Sequence, residues 1–189
     1  ISDQDAVVSV FDRGFLYGDG IFETILVANS VPFRFSQHIE RLRYGAQFLQ
    51  IPWTESLTTM EVRVKELLRQ NQLSDSVLRI QLTRGTGTRG YSPSNAAAPS
   101  MVISIHPHPA NTMDHAPNWR IVTSSLKVLA DDPLSQIKHS NKICHILARA
   151  EADKQAADEA LLLNNRGEVA EATSGNVFWI QGKTVFTPP

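Results

Sequence analysis

Between His106 and Pro117 the chain reads His-Pro-His-Pro-Ala-Asn-Thr-Met-Asp-His-Ala-Pro, and its prolines forbid a continuous helix or a central strand across that stretch. The fold must be divided there. We expect a first domain over residues 1–108, a linker over 109–117 and the start of a second domain over 118–189. A length of 189 residues suits this, because domains commonly run about 100–150 residues.

Ahead of the boundary, Ala6–Val10 alternates weakly and Ile21–Val27 is rich in β-formers. With Gly14, Gly18 and Gly20 between them, this predicts strand, glycine-rich turn, strand. Ser36 is the expected cap of a helix in which Ile39, Leu42, Ala46 and Leu49 share one face, closed by Pro52. A second helix is expected over about Met60–Gln70. In Ser76–Thr83, Leu78, Ile80 and Leu82 alternate with Arg79, Gln81 and Thr83, the pattern of a half-buried strand, and Met101–Ile105 is another strand. Beyond the boundary, Trp119–Ser125 predicts a strand and Ser140–Gln155 a helix with Ile143, Leu147, Ala150 and Ala157 inward. The runs Ala160–Leu163, Glu168–Glu171, Asn176–Ile180 and Thr184–Thr187 predict a closing meander.

Charge narrows the partners. Eighteen Lys and Arg against nineteen Asp and Glu give a net charge of -1, which offers no general attraction to phosphate backbones or anionic lipid, so neither nucleic acid nor membrane is expected as a partner. No apolar run approaches the roughly 20 residues that span a bilayer. The amino end, Ile-Ser-Asp-Gln-Asp, has neither the basic nor the apolar part of a secretion signal, and a cytoplasmic protein is expected. The single Cys144 can form no internal disulfide and suits a reducing compartment; we read it as a small helical residue.

Six histidines, at 38, 106, 108, 115, 139 and 145, show no His-Glu-x-x-His pair and no accompanying carboxylate cluster, so no metal site is expected. No Gly-x-Ser-x-Gly elbow supplies a hydrolase nucleophile. Arg84-Gly-Thr-Gly-Thr-Arg-Gly90 has the glycines of a phosphate-cradling nest but neither the ending of a nucleotide loop nor the strand-to-helix setting of a dinucleotide site, and a flexible loop explains it better. Among the lysines, Lys65 and Lys154 belong on amphipathic helices and Lys183 in a hairpin turn, where a solvated charge suffices. Lys138 follows the apolar-containing Pro133–Ile137 stretch at the mouth of a helix, with Lys142 four residues on, so burial or a neighbouring cation can bring its amine toward the nucleophilic range; a snorkelling lysine would read the same. Glu171 follows apolar residues and either faces inward, where it needs a cationic or protonated partner, or lies outward on an edge strand. Arg41 either anchors an anion with its fork or sits in water.

Several motifs then fall in one order over nearly the whole chain: Asp12-Arg-Gly-Phe-Leu-Tyr-Gly-Asp-Gly-Ile-Phe-Glu-Thr24, Phe35-Ser-Gln-His-Ile-Glu-Arg-Leu42, Ile137-Lys-His-Ser-Asn141, Asp158-Glu-Ala-Leu-Leu-Leu163 and Gly167-Glu-Val-Ala-Glu-Ala-Thr-Ser-Gly-Asn-Val-Phe178. Together they resemble the fold-type IV, class IV aminotransferase-like, pyridoxal phosphate enzymes. The resemblance implies an α+β fold of two domains, a smaller α/β N-terminal domain and a larger β-rich pseudobarrel C-terminal domain. It also implies a chain that extends beyond both Ile1 and Pro189.

Within the family, Arg84–Ser92 together with Ile137–Asn141 is most similar to the 4-amino-4-deoxychorismate lyase subgroup. Branched-chain and D-amino-acid transaminases share the scaffold, and a non-catalytic member of the fold is a further alternative. Where branched-chain transaminases carry a Tyr five residues after the lysine, this chain has Ile143.

Carried over residue by residue, the resemblance makes Lys138 the catalytic, Schiff-base lysine, Glu171 the partner of the pyridine nitrogen and Arg41 a ligand of the cofactor phosphate. It puts substrate-binding Arg89 and Tyr91 on the Arg84–Ser92 loop and implies pyridoxal 5'-phosphate as cofactor, a small-molecule substrate and a homodimer. The residue types suit those roles: an amine condenses with an aldehyde, a carboxylate keeps a ring nitrogen protonated, and a guanidinium matches phosphate oxygens.

Overall fold

In the computed structural model, which describes residues 1–2, 4–96, 98–108 and 118–188, the chain forms two units. The first comprises Ile1–Ala110 with Gln136–Ser140, and the second Asn111–Ser135 with Asn141–Pro189. The expected linker, 109–117, lies outside the described residues. Residues 136–140, placed by the sequence reading in the second domain, join the first unit.

The first unit contains α1 (Arg13–Tyr17), β1 (Gly20–Ala28), β2 (Val31–Pro32), α2 (Phe35–Phe48), α3 (Leu57–Asn71), β3 (Ser76–Thr83) and β4 (Ser100–Pro107). The strands form an antiparallel sheet in the order β2-β1-β3-β4. Alternation sorts its faces. Ile21, Ile25 and Val27 of β1 and Leu78, Ile80 and Leu82 of β3 are at most 2% exposed, with α2 lying against β1 and α3 against β4. Ile39, Leu42 and Ala46 of α2 and Met60, Val64 and Leu68 of α3 close that core. Fully burying each large apolar side chain of this set contributes about 1.5–3 kcal/mol.

Several local expectations are corrected. Ala6–Val10 forms no strand, because alternation without a neighbouring ladder leaves its backbone unpaired, and these residues are exposed. Ser36 does not cap α2: Arg34 does, in a left-handed conformation without a side-chain cap bond, while the Ser36 hydroxyl turns to Gln37. α3 starts at Leu57 because Ser56 caps it, its hydroxyl accepting from Thr59 N at 3.0 Å. β4 runs through His106 and Pro107, which the sheet tolerates since β4 is an edge strand and proline there breaks no interior ladder.

The second unit contains β5 (Ile121–Val128), α4 (Ile143–Lys154), β6 (Glu159–Asn164), β7 (Val169–Ala172), β8 (Trp179–Gln181) and β9 (Thr184–Phe186). β5 and β6 are parallel, with α4 as their crossover; β7 is antiparallel to β6. β8 and β9 pair with each other, so the closing strands are not one meander. The inner face of α4 also differs from expectation. Ala148 and Ala152 are buried with Ala157, Ala160 and Leu162, and Cys144 packs beside them, whereas Ile143 and Leu147 are 66% and 51% exposed. Small side chains let the helix approach the sheet closely, and periodicity in large apolar residues pointed to the wrong stripe.

Candidate active site

Lys138 is held by the edge of β1. Phe22 N donates to Lys138 O at 3.0 Å, Ser140 N donates to Gly20 O at 2.9 Å, and His139 bridges antiparallel to Ile21. Anchors flank it on both sides. Ile137 is 5% exposed and packs beside Gly45 of α2, where a Cβ would make ordinary contact with Ile137 Cβ at 3.7 Å and a tight one with Ile21 Cδ1 at 3.2 Å. Gln81 Nε2 donates to Ser140 Oγ at 2.6 Å, and the Tyr44 hydroxyl donates to Gln136 Oε1 at 3.1 Å. The result is an amine on a short extended segment tied to the sheet, the kind of mounting that keeps a reactive group in place.

The Lys138 ammonium lies 4.9 Å from the centre of the Phe22 ring, and Arg79 Cζ lies 4.1 Å from the same centre. Arg79 donates to Gln81 Oε1 at 2.9 Å but forms no ion pair with a carboxylate among the described residues, and burial pushes its pKa below the usual guanidinium value. Arg79 thus gives this face a guanidinium suited to an anion.

Phe22 and Glu23 are adjacent on β1, so their side chains leave opposite faces. Glu23 is fully buried and grips Arg41: Arg41 Nε donates to Oε1 at 2.5 Å and Nη2 to Oε2 at 2.6 Å, with His38 Nδ1 2.8 Å from Oε2. The hydrogen bonds from Arg41 to Glu23 raise the Arg41 pKa against burial, which lowers it, and the charge of Glu23 adds to the rise. Arg41 is neither merely solvated nor wholly available: one edge of its fork belongs to Glu23, while Nη1 makes no hydrogen bond among the described residues and the side chain is 51% exposed. Lys138 and Arg41 are thus brought to neighbouring residues of one strand but to opposite faces. Arg89 and Tyr91 stand exposed on the loop between β3 and β4.

In the second unit, Glu171 lies on the edge strand β7 with its side chain 44% exposed. His145 of α4 places Nε2 3.0 Å from Glu171 Oε2, out of line for a hydrogen bond, and neither nitrogen of this largely buried ring is hydrogen-bonded among the described residues. Burial lowers the Lys142 pKa, while the charge of Glu171 works in the opposite direction. Thr173 and Ser174, just beyond Glu171, are fixed by the buried Glu159, which accepts from both hydroxyls.

Sequence reasoning missed Glu23, Phe22, Arg79 and His145. Glu23 had a signal: it occupies the inward register of an otherwise apolar alternation, where a carboxylate requires a cation. The other three depend on long-range pairing and had none.

Residues 20–189 match the family described as amino-transferase class IV. The chain belongs to that family. It is 36% identical over its whole length to a putative branched-chain-amino-acid aminotransferase of Methanocaldococcus jannaschii, and 34% identical, over 96% of its length, to an aminodeoxychorismate lyase of Vibrio harveyi. The chain spans 65% and 66% of the length of these curated relatives. Among solved structures it is similar to a putative 4-amino-4-deoxychorismate lyase from Legionella pneumophila, with a TM-score of 0.89 and 26% identity, over 98% of this chain and 67% of the other. The mixed α+β architecture is that of fold-type IV. Among the described residues no helix is long and apolar enough to cross a membrane.

Proposed function

We propose that the protein is a pyridoxal 5'-phosphate-dependent lyase that converts 4-amino-4-deoxychorismate to 4-aminobenzoate and pyruvate, acting in the cytoplasm, in folate synthesis, as a homodimer. The observation that carries this reading is the mounting of Lys138: one amine, pinned by β1 and set over an aromatic ring beside a guanidinium that has no carboxylate partner among the described residues. The residue types suit the cofactor, with Lys138 and Arg41 set on opposite faces of β1. Lys138 offers an amine for its aldehyde, Arg41 Nη1 a donor for its phosphate, and Glu171 a carboxylate for its ring nitrogen. When bound, the cofactor supplies an electron sink next to the substrate nitrogen.

In this reading Lys138 would hold the cofactor through its amine. The same amine would remove the proton from the carbon that bears the substrate nitrogen. Lys138 or a water supplies the proton that accompanies loss of the enolpyruvyl group, and aromatisation drives the elimination. The reaction is redox-neutral and needs no second substrate. Glu171 would keep the ring nitrogen cationic, and Arg89 and Tyr91 would contact the substrate.

The 36% identity to a putative branched-chain-amino-acid aminotransferase favours a second reading, transamination of branched-chain or D-amino acids with 2-oxoglutarate. Full-length protein loaded with cofactor decides between them. Pyruvate and 4-aminobenzoate from aminodeoxychorismate alone are the expected products; keto acid formed only from amino donor plus 2-oxoglutarate would replace the lyase by the transaminase. Hydride reduction followed by peptide mapping should label Lys138, and a label on any other lysine overturns the site. Glu171→Gln should retain cofactor but slow proton removal, and sedimentation should give twice the chain mass.

A further inference from the structure

Arg13 is only 3% exposed, although arginine is seldom buried without several partners. Its Nε donates to Asp19 Oδ2 at 2.8 Å, and its guanidinium lies 5.1 Å from the Tyr17 ring centre. Asp19 is shared: Arg84 donates to both its oxygens and also to the carbonyls of Leu49 and Gln50 at the end of α2. The rest of the Arg13 fork reaches far along the sequence. Nη1 donates to Gly90 O and Nη2 to Tyr91 O, each at 2.9 Å.

These acceptors are main-chain carbonyls, so Arg13 grips the path of the loop and not its side chains. The loop is shaped for that grip. A Cβ on Gly87 would lie 3.1 Å from Arg13 Cδ, Gly85 and Gly90 take left-handed conformations, and Arg13 N donates to Gly85 O at 2.8 Å. Tyr17 adds a second hold: its hydroxyl accepts from Gly90 N at 3.2 Å, and its ring meets Tyr91 edge-on at 5.4 Å. Yet Arg89 is exposed and Tyr91 is 85% exposed. A loop whose side chains merely met water would need no such hold, since freezing it costs conformational entropy. A fixed backbone with two side chains projecting outward is what presentation to a ligand requires.

We infer that Arg13 is a positioning residue that clamps the Arg84–Tyr91 loop so that Arg89 and Tyr91 are presented to an anionic substrate. This rests on the reading of Arg89 and Tyr91 as substrate-facing, and the test separates the two. In full-length, cofactor-loaded protein, Arg13→Lys keeps a cation for Asp19 but cannot hold both carbonyls. It should raise KM for aminodeoxychorismate about tenfold while kcat and the absorption of bound cofactor stay near wild type. Trypsin cleavage at Arg89, followed by mass spectrometry well below the unfolding temperature, should accelerate by about tenfold as the loop loosens.

Tyr17→Phe, which removes only the hydroxyl, should move both readouts the same way by less and serves if Arg13→Lys fails to fold. Unchanged cleavage at Arg89 in both variants overturns the clamp whatever the kinetics show. Faster cleavage with unchanged KM overturns the positioning role. If the wild-type protein does not turn over aminodeoxychorismate, the proposed function has failed, and the same KM comparison is made with the amino donor that it does use, while the cleavage comparison still decides the clamp.

Discussion

Replacing Arg41 by Met should destabilise the protein more than replacing Glu23 by Gln, although each breaks the same ion pair. The reason is the asymmetry of burial: the Glu23 side chain is 0% exposed and that of Arg41 is 51% exposed. Without Arg41, a carboxylate sealed from water keeps only His38 Nδ1, 2.8 Å away, and a buried charge stripped of its partner costs about 3–5 kcal/mol. Without the Glu23 charge, the guanidinium turns into solvent, and a pair already screened by half-exposure is worth about 1 kcal/mol. The single variants should therefore differ by about 2 kcal/mol or more. In a chain of this size that is a separation of about 4–8 °C in Tm. The double variant Glu23→Gln, Arg41→Met should be more stable than Arg41→Met alone, because the second change removes the stranded charge. Urea unfolding of cofactor-free protein at one pH, compared at constant m-value, measures all three without a contribution from ligand binding. Equal costs for the two single variants, or strictly additive costs in the double, would refute the reasoning.

Asp19 should shape the acid limb of stability. Burial works to raise its pKa, but the hydrogen bonds and charges of Arg84 and Arg13 outweigh that and hold it below the ordinary 3.8. The unfolded chain then binds the proton more readily, so the contribution of Asp19 is complete above about 3.8 and is lost as pH falls through the folded value. An Asp19→Asn variant should show a flatter decline in urea midpoint below about pH 4, and an unchanged slope would show that the pair carries no linkage. At Gly90, with φ +109 and open space around a Cβ, alanine should cost about 1–3 kcal/mol from backbone strain alone. At Gly85, with φ +81 and a Cβ 2.1 Å from Ala98 O, it should cost clearly more, and equal Tm shifts for the two variants would count against the close approach. Ala148→Leu should destabilise by about 1–3 kcal/mol by overpacking α4 on its sheet; a neutral result would mean that the helix lifts without penalty.

What was legible in the sequence was what local pattern controls. The limits of β3 follow from strict alternation of Leu78, Ile80 and Leu82 with polar neighbours, because a one-residue slip would turn the apolar set to solvent. Lys138 stood out by its apolar approach and its place before a helix, and Arg41 by its residue type. Pairings set across the chain were not legible. Nothing near Lys138 announces that it will lie against Phe22, nothing near Arg13 that it will reach Gly90 and Tyr91, and the face of α4 was misread because alanines, not Ile143 and Leu147, allow its approach. The alternative for Arg41, anion anchor or solvated charge, was too coarse, since a buried carboxylate holds one edge of its fork and leaves the other.

The placement of the candidate groups follows from the register of one strand. β1 aligns Gly20 with Thr83 and Phe22 with Gln81 without a break, and this register puts Phe22 toward Lys138 and Glu23 toward Arg41. A slip by one residue would exchange the two faces, driving a carboxylate against the guanidinium of Arg79 and leaving Arg41 facing a phenyl ring. The same ladder ends at Thr83, whose hydroxyl donates to buried Asp12 at the cap of α1, the helix that begins with Arg13. The strand that fixes the lysine is therefore continuous, through backbone pairing and one buried hydrogen bond, with the helix that fixes the loop. A group placed by a ladder of this kind moves only when the sheet does, which is the rigidity that the proposed proton transfer would demand.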